Sequence, residues 1–383
     1  MTSQNNSTWW FDCNQGKQER PKFEKPNIIG YFSLNMQGGK RDYVGDYSQL
    51  VYLSKCMLRK RKVHLNLNNG LDKAIRKPVG KDERIDFILT WILSNYNKIT
   101  LDPQPEPSRW LKPEFICYRG TLTKIATSNY DDSLAWILCA VKFHGTIYIC
   151  AYDTEEQKHE QLNQTPNDLK FTSYGFKFEQ YMTADHPKSM PRTYEPVNEG
   201  SEFSCVYTTK LNDMQLLYPA EMDAVDSDVL LEEPIDWNKI NFVEFKTSKE
   251  LNRNTNLEYW YRKVIRWWCQ SYLVGVRDLF CGNRSHKGIV YRVDKKSVQS
   301  LEHDLREYNW YVEDCLKFCE QFLNHLKTVV KQDHDKCIYK FYKPTNRRQV
   351  ELEILPGDSE LAFLPDWFTD PVNKIVTSRD NSF

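Results

Sequence analysis

Two short segments of the chain each place charged side chains two residues apart. Glu221 and Asp223 lie in "AEMDAV", and Glu244 and Lys246 lie in "VEFKTS". In a β-strand, residues i and i+2 point to the same face, so each pair shares a face if its segment is extended. If the two segments are neighbouring strands, three carboxylates and one ammonium group converge on one patch.

Carboxylates brought that close repel one another, so they cannot all stay ionised without a compensating positive charge. A divalent cation supplies that charge, and hard oxygen ligands select Mg²⁺ or Mn²⁺. A lysine beside the cation can orient or polarise a water, as metal-assisted phosphodiester hydrolysis requires. The alternative interpretation is a solvated strand face, on which the Glu-x-Lys pair forms an ordinary surface ion pair.

Three further polar residues are candidates for the same site. Glu179 lies in "GFKFEQYM", a run compatible with a short strand or with the start of a helix. Lys263 and Gln270 are seven residues apart in an aromatic helical pattern and therefore share a helix face. The alternatives are an amphipathic glutamate and a core-packing helix whose rim is polar.

Composition indicates a protein with enough apolar material for a sizeable core. The 383 residues are 40% hydrophobic, and 52 basic side chains balance 52 acidic ones. A protein that coats nucleic acid is normally basic overall, so neutrality argues against that class, although it permits a local basic groove. The basic cluster "LRKRKVH" is interpreted as a solvated turn or strand edge, with a phosphate-backbone contact or a nuclear signal as the alternatives.

The cysteines and the N-terminus bear on the cellular compartment. The 11 cysteines contain no CxxC pair, and Cys139, Cys150, Cys269 and Cys319 sit in apolar patterns typical of reduced, buried thiols. The N-terminal segment is polar and lacks the apolar stretch of a signal peptide, and no run approaches the roughly 20 apolar residues of a membrane span. We therefore expect a soluble intracellular protein with no membrane contact, located in the nucleus or the cytoplasm.

Hydrophobic periodicity predicts a mixture of strands and helices without a regular βαβ rhythm. Helices are predicted in "KDERIDFILTWILSNYNKI", "LEYWYRKVIRWWCQSYLVGV" and "YVEDCLKFCEQFLNHLKTVV". Strands are predicted in "IIGYFSL", in a hairpin that turns at His144-Gly145, and in "FSCVYTT", "LLYPAEMDAV", "NFVEFKT", "KGIVYRV", "CIYKFYK" and "VELEIL". This mixture predicts an α+β (mixed α/β) fold, in which helices flank a central mixed β-sheet.

One large domain is expected, because no linker-like segment divides the chain. Residues 1–25 are predicted to form a polar N-terminal arm, residues 26–370 the single domain, and residues 371–383 a C-terminal tail. The proline- and polar-rich segment from Ala184 to Glu202 is predicted to be a long surface loop within that domain.

Taken together, these motifs resemble those of the DXO family of eukaryotic decapping exoribonucleases. The similarity runs from about "DPQPEP" to "FLPDWF", which is most of the chain. The motifs that show this similarity are "YRGTLTK" with Arg119, "GFKFEQYM", "EMD", "VEFKTSKE" and "KVIRWWCQSYLVGV". The resemblance implies a PD-(D/E)XK nuclease-like core with Glu-x-Asp and Glu-x-Lys on adjacent strands, and it implies catalytic roles for Glu221, Asp223, Glu244, Lys246 and Gln270.

The resemblance also implies ligands for two divalent metal ions, Mg²⁺ or Mn²⁺. Glu179, Asp223 and Glu244 would hold metal, and Glu221 would assist directly or through a water. All four positions retain their carboxylates, which argues against a relative that has lost its metal.

Four residues would contact the substrate if the resemblance holds. Lys246 and Gln270 would position the nucleophilic water and the scissile phosphate. Arg119 and Lys263 would contact the RNA backbone or the 5′ end.

The implied activity is hydrolysis at RNA 5′ ends, in the quality control of those ends. Family members remove 5′ triphosphates, incomplete caps and NAD caps, and several then degrade 5′-monophosphate RNA in the 5′→3′ direction. The partners expected are therefore RNA 5′ ends that are capped, NAD-capped, triphosphorylated or monophosphorylated, while the protein partner stays open. The alternatives are a catalytically silent RNA 5′-end-binding protein of the same family and a DNA-directed nuclease on the same core.

Overall fold

Strands and helices alternate irregularly along the chain. A computed structural model describes residues 7–10, 19–59, 62–77, 84–101, 109–249 and 257–380. The strands are β1 (Ser7–Trp10), β2 (Asn27–Gln37), β3 (Lys40–Val44), β4 (Tyr52–Leu53), β5 (Leu65–Asn66), β6 (Phe115–Ile116), β7 (Trp136–Phe143), β8 (Thr146–Tyr152), β9 (Thr183–Ala184), β10 (Glu202–Leu211), β11 (Met214–Glu221), β12 (Ala224–Val225), β13 (Phe242–Lys249), β14 (Asp278–Arg284), β15 (Ile289–Ser297), β16 (Cys337–Lys343) and β17 (Gln349–Pro356). The α-helices are α1 (Lys55–Leu58), α2 (Asp86–Asn95), α3 (Arg119–Thr127), α4 (Glu155–Leu162), α5 (Pro166–Met182), α6 (Leu257–Tyr272), α7 (Val298–Arg306), α8 (Val312–Val329) and α9 (Asp366–Asp380). Short 3₁₀ helices span Leu71–Lys73, Tyr96–Lys98 and Trp237–Lys239.

The strands form two sheets of mixed direction. Sheet A has ten strands in the order β1-β17-β16-β7-β8-β6-β11-β10-β2-β3, and it is antiparallel except where β6 pairs with β8 and with β11. Sheet B has seven strands in the order β5-β15-β14-β13-β12-β4-β9, with parallel pairs β13–β14 and β12–β4. The prediction of an α+β fold with mixed sheets and flanking helices is confirmed, although the sheets number two.

The helices pack against the sheets, and the buried side chains form three apolar cores. Trp91 of α2 and Phe368 of α9 are buried in the core on the outer face of sheet A. Trp268 of α6 and Phe322 of α8 belong to the core between the two sheets, and Phe178 of α5 belongs to the core on the outer face of sheet B. Each large apolar side chain buried in this way contributes about 2 kcal/mol, so the cores hold both sheets in place around the elements between them.

Most predicted elements are present. The β7–β8 hairpin turns at His144 and Gly145, both of which have positive φ angles, 43° and 77°. The three predicted helices correspond to α2, α6 and α8, except that residues 81–83 of the first lie outside the described residues. The predicted loop is irregular from 185 to 201, between β9 and β10.

The prediction of one continuous strand through "LLYPAEMDAV" is wrong. Strand β11 ends at Glu221 in sheet A, and β12 begins at Ala224 in sheet B, so the chain changes sheets at Met222 and Asp223. The Met222 amide donates to the carbonyl of Phe203 at 2.9 Å, which keeps that residue with sheet A. The period-of-two argument therefore does not apply to Glu221 and Asp223.

Several further expectations can be compared with the described residues. Cys139, Cys150, Cys269 and Cys319 are buried, as predicted. In the part of the chain that is described, no helix combines the length and apolar character that a membrane span requires. The domain boundaries stay predictions, and helix α9 runs across the one at residue 370. Residues 60–61 of the basic cluster and 102–108, which contain "DPQPEP", lie outside the described ranges.

Candidate active site

A cavity of about 480 Å³ opens where the two sheets and helix α5 meet. Glu179, Glu221 and Asp223 line it together with part of the irregular loop, including Arg192 and Asn198. Three of the four predicted metal-binding carboxylates therefore border one space, although they come from α5, from the end of β11 and from the segment between β11 and β12.

Strand β13 positions Glu244 and Lys246 on one face, as predicted. Val243 and Phe245 point the other way, into the core beneath α5. Nζ of Lys246 donates to Oε2 of Glu244 at 2.7 Å, and Glu244 is only 1% exposed. The ion-pair interpretation is thus correct for the contact, but Glu244 is buried and the side chain of Lys246 is only 18% exposed, so the pair does not lie on an open, solvated face.

Arg119 holds the second oxygen of Glu244. The residue begins helix α3, and its Nη1 donates to Oε1 of Glu244 at 3.3 Å and to the main-chain carbonyl of Gln270 at 3.1 Å. The guanidinium therefore joins α3, β13 and α6. Arg119 is a positioning residue for Glu244 in this structure as well as a predicted RNA contact.

Asp223 is fixed by the backbone of β13. Its Oδ2 accepts from the amide of Phe245 at 2.7 Å, beside Glu244. Directly after it, Ala224 pairs with Val243 in antiparallel register. The change of sheet thus brings Asp223 to the edge of β13, where a continuous strand would have kept it with sheet A.

Glu179 lies near the end of helix α5, so the helical interpretation of "GFKFEQYM" holds. Phe178 packs against the backbone of β14, where a Cβ atom on Gly282 would be 2.7 Å from its ring. The absence of a side chain at Gly282 therefore lets α5 approach sheet B closely. That approach places Glu179 within electrostatic reach of Asp223, Glu221 and Lys246.

Burial and mutual repulsion raise the pKa of three carboxyls. The pKa of Glu221 rises to about 8 through burial and the neighbouring Glu202, and that of Asp223 rises to about 7 through burial and Glu244. The pKa of Glu179 is raised by burial and by Asp223. Burial and the neighbouring carboxylates therefore disfavour the ionised form of these three carboxyl groups.

Glu244 and Lys246 behave differently because they neutralise each other. Burial alone would raise the pKa of Glu244, but Lys246 and Arg119 outweigh it and lower that pKa. Burial alone would lower the pKa of Lys246, but Glu244 and Asp223 raise it. Both side chains are therefore charged at neutral pH.

The donor chemistry of the cavity fits a divalent cation. Within the described ranges, no three His, Cys, Asp or Glu side chains are already grouped as a ligand set. Glu179, Glu221 and Asp223 nevertheless present carboxylate oxygens to one cavity, and a divalent cation bound there would stabilise their ionised form. The assignment of Glu179, Glu221, Asp223 and Glu244 as metal ligands stays a prediction, and it requires Glu244 to share its oxygens with Arg119 and Lys246.

The two residues predicted from helix α6 lie in different surroundings. Gln270 reaches the site through its main-chain carbonyl, which accepts from Arg119. Lys263 lies about two turns earlier, and its Nζ is 4.8 Å from the centre of the Tyr259 ring. The structure therefore brings together the four carboxylates, Lys246, Arg119 and the backbone of Gln270, and it places Lys263 beside a different group.

Sequence reasoning missed Glu202, which lines the same cavity. Its carboxylate is paired with Arg41 and accepts from Oγ of Ser204 at 3.2 Å. Ser204 lies opposite Glu221 in the β10–β11 pair, so Glu202 and Glu221 share a face. The signal was the Glu-x-Ser spacing in "GSEFSC", but without the register it could not be connected with Glu221.

The comparison with protein families gives one match over nearly the whole chain. The family described as "RAI1 like PD-(D/E)XK nuclease" matches residues 24–369. The "Decapping and exoribonuclease protein Rai1" of Drosophila melanogaster is 33% identical over 360 residues, which cover 91% of this chain and 92% of the fly protein.

Solved structures share the fold at lower identity. Scheffersomyces stipitis Rai1, solved in complex with (3′-NADP)⁺ and calcium ion, has a TM-score of 0.79 at 19% identity, with 96% of this chain and 100% of that chain covered. Candida albicans Rai1, solved in complex with pU5-Mn²⁺, has a TM-score of 0.77 at 18% identity and the same coverage.

Proposed function

Because the chain belongs to the RAI1-like PD-(D/E)XK nuclease family, we propose that it is a metal-dependent RNA 5′-end decapping nuclease. In this proposal water attacks the phosphate that joins the 5′ end group to the RNA. The phosphodiester or pyrophosphate bond to the end group is hydrolysed, and the RNA keeps a 5′ monophosphate. Incomplete caps, NAD caps and 5′ triphosphates are the substrates, and 5′→3′ exoribonuclease activity follows on the product. Its location is the nucleus or the cytoplasm.

The observation that carries the proposal is the convergence of Glu179, Glu221 and Asp223 on one cavity beside the Glu244–Lys246 pair. A fly relative named as a decapping and exoribonuclease protein, and fungal relatives solved with pU5-Mn²⁺ or with (3′-NADP)⁺ and calcium ion, support RNA 5′ ends as the substrate and divalent metal as the cofactor.

Each residue has a defined task in the proposed reaction. Two divalent ions, Mg²⁺ or Mn²⁺, would supply charge neutralisation and an activated water when bound. Glu179, Glu221, Asp223 and Glu244 would hold them, and Lys246, which Glu244 keeps charged and oriented, would donate to the scissile phosphate. Arg119 fixes Glu244 and the Gln270 backbone, so the phosphate meets a rigid set of donors.

The experiment is product analysis on a panel of RNAs that differ in the 5′ end: unmethylated cap, methylated cap, NAD, triphosphate and monophosphate. The proposal expects cap dinucleotide, NAD or pyrophosphate to be released from at least one end group in the presence of Mn²⁺, and none in EDTA. If no end group yields product while the RNAs still bind, the protein is a silent 5′-end binder. Preferential cleavage of single-stranded DNA would identify a DNA nuclease.

A further inference from the structure

Helix α5 carries a second polar side chain close to Glu179, and this one is fully buried. Lys177 is 0% exposed, and among the described lysines only Lys343 is buried as completely. Nζ of Lys177 donates to Oε1 of Gln180 at 2.7 Å and to the main-chain carbonyl of Thr193 at 2.9 Å. Its amine group therefore joins α5 to the irregular loop between β9 and β10.

Space filling does not explain a lysine at this buried position. Within the described ranges, Lys177 forms no ion pair with a carboxylate, so no opposite charge offsets the cost of taking its amine group out of water. A methionine of similar length would avoid that cost. The amine adds the two hydrogen bonds and a contact with the Tyr181 ring, whose centre is 5.3 Å from Nζ. We therefore look for the role of Lys177 in what these hydrogen bonds hold.

Gln180 extends the connection along the loop. Its Nε2 donates to the main-chain carbonyl of Glu195 at 3.0 Å. Among the described residues, this bond and the one to Thr193 are the only hydrogen bonds that join the main chain of residues 193–195 to another element. The following part of the loop has its own attachment, because the amide of Ile75 donates to the carbonyl of Val197 at 2.8 Å. The helix therefore holds this turn of the loop.

The turn that α5 holds forms a wall of the candidate active site. Arg192 and Glu195 line the cavity together with Gln180 and the carboxylates of the site. Arg192 is the only lysine or arginine among the described residues that line this cavity. Its ion pairs with Asp185 and Glu195, at 3.0 and 3.6 Å, involve half-exposed side chains and are therefore weak. A phosphate that enters the cavity can replace them.

The 5′ end group of an RNA suits this wall. A cap, NAD or a triphosphate brings phosphates, and a guanidinium group donates to a phosphate through two parallel hydrogen bonds. The cavity of about 480 Å³ has the size of a small-molecule site. It therefore fits an end group of limited length better than a continuing RNA chain.

We propose that Lys177 is a positioning residue for the 5′ end group of the RNA, a role that rests on the proposed function. Through Thr193 and Gln180 it fixes the turn that follows Arg192, so that the guanidinium group meets the phosphates of the end group. Lys177 itself touches neither the substrate nor the metal. Its loss weakens binding of the end group and leaves binding of the rest of the RNA unchanged.

The binding experiment compares two RNAs of one sequence, one with an unmethylated cap and one with a 5′ monophosphate. It uses the full chain with Ca²⁺, a hard cation that carboxylates bind, and gel analysis confirms that both RNAs stay intact. The wild type should bind the capped RNA more tightly. In Lys177→Met and in Arg192→Gln, the Kd of the capped RNA should rise by about five- to tenfold, as expected for lost hydrogen bonds, and the Kd of the monophosphate RNA should not change.

Lys343→Met is the matched control for Lys177→Met. Nζ of Lys343 donates to the main-chain carbonyls of Leu134 and Pro344, at 3.2 and 3.4 Å, and none of these residues lines the cavity. The variant therefore removes an equally buried amine group that has no contact with the loop. Both Kd values should stay at those of the wild type.

Limited digestion with trypsin tests the attachment of the loop without any substrate. Trypsin cleaves the bond after Arg192, and cleavage requires the loop to leave the helix locally. Cleavage at this bond should be faster in Lys177→Met and in Gln180→Met than in the wild type, but not in Lys343→Met. Gln180→Met decides the question if Lys177→Met does not fold, because it leaves the bond to Thr193 in place.

Three results would overturn the proposal. The first is wild-type Kd values together with wild-type tryptic cleavage in Lys177→Met and Gln180→Met. The second is an equal Kd of the wild type for the two RNAs, and the third is an equal rise of both Kd values in Lys177→Met, which would indicate general structural damage. Failure of the wild type to release any end group in Mn²⁺ would instead contradict the proposed function, because neither binding nor digestion depends on cleavage.

Discussion

Lys246 donates at 2.7 Å to the buried carboxylate of Glu244 within strand β13, and Arg119 donates to the other oxygen of the same carboxylate. The carboxylate is thus shared between two cations from two elements. These two cations lower the pKa of the buried Glu244 carboxyl, whereas burial and neighbouring carboxylates outweigh the nearby cations at Glu221 and Asp223 and raise their pKa values.

The first prediction concerns Glu244. Glu244→Gln removes the negative charge but keeps the shape, so Arg119 and Lys246 lose their charged acceptor. We expect the free energy of unfolding to fall by about 2 kcal/mol, the range for hydrogen bonds to charged groups, as measured by urea denaturation. Glu360→Gln, at an exposed position, is the control and should change little. An unchanged midpoint for Glu244→Gln would contradict the network.

The second prediction concerns Asp223 and separates the effect of its charge from that of its hydrogen bond with the Phe245 amide. Asp223→Ala removes the acceptor for the Phe245 amide and should lower the free energy of unfolding by about 1 to 2 kcal/mol. Asp223→Asn keeps an oxygen for that bond and should be more stable than the alanine variant. Hydrogen exchange of the Phe245 amide tests this hydrogen bond directly. Exchange should be faster in the alanine variant than in the asparagine variant, and equal rates in the two variants would argue against the bond.

The third prediction is a pH dependence of the metal-free protein. The folded-state pKa values of Glu221 and Asp223 are about 8 and about 7, above the unfolded values of about 4. The folded state therefore binds protons more tightly, so this contribution to stability is complete below about pH 4 and is lost as pH rises through about 7 to 8.

Thermal unfolding in EDTA across that range measures this dependence. The E221Q/D223N variant should show a smaller decline in Tm between about pH 5 and about pH 8 than the wild type. Mn²⁺ should raise the Tm of the wild type more at the higher pH, because the carboxyls must lose their protons to bind it. Parallel Tm profiles for both proteins would count against the raised pKa values.

The fourth prediction concerns the packing of helix α5 against sheet B. Gly282→Ala places a Cβ atom 2.7 Å from the Phe178 ring, so α5 must shift away from sheet B and carry Glu179 with it. We expect a loss of about 1 to 3 kcal/mol from overpacking, and weaker Mn²⁺ binding by calorimetry. Gly120→Ala, whose Cβ would meet nothing within 4 Å, is the control. Unaltered Mn²⁺ affinity in Gly282→Ala would show that Glu179 does not depend on this contact.

The part of the site that lies on a continuous strand could be predicted well from the sequence. The alternation of side chains along a strand determines which residues share a face, without any tertiary information. Glu244 and Lys246 share a face and Phe245 enters the core for that reason. Asp223 could not be placed in this way, because the chain leaves one sheet and joins another beside it. The main-chain amide of Phe245, which donates to the Asp223 carboxylate, can be recognised as its partner only from the three-dimensional structure.

The remaining site residues depended on long-range packing. Glu179 could be a strand or a helix residue by periodicity, and only the close approach of Phe178 to Gly282 decides where its carboxylate lies. Glu202 became visible only through the register that places Ser204 opposite Glu221. The family resemblance supplied the roles of Arg119 and Gln270, whereas the structure supplied their connection through one guanidinium.

The most direct test of the central claim measures cap-dinucleotide release from unmethylated-capped RNA in Mn²⁺ by the wild type, Asp223→Asn, Glu244→Gln and the control Glu360→Gln, each first shown to be folded. If the carboxylate set holds the metal that cleaves the 5′-end phosphate, the wild type and Glu360→Gln release the dinucleotide and the two site variants release none. Release by Glu244→Gln or Asp223→Asn at the wild-type rate would contradict the assignment of the site.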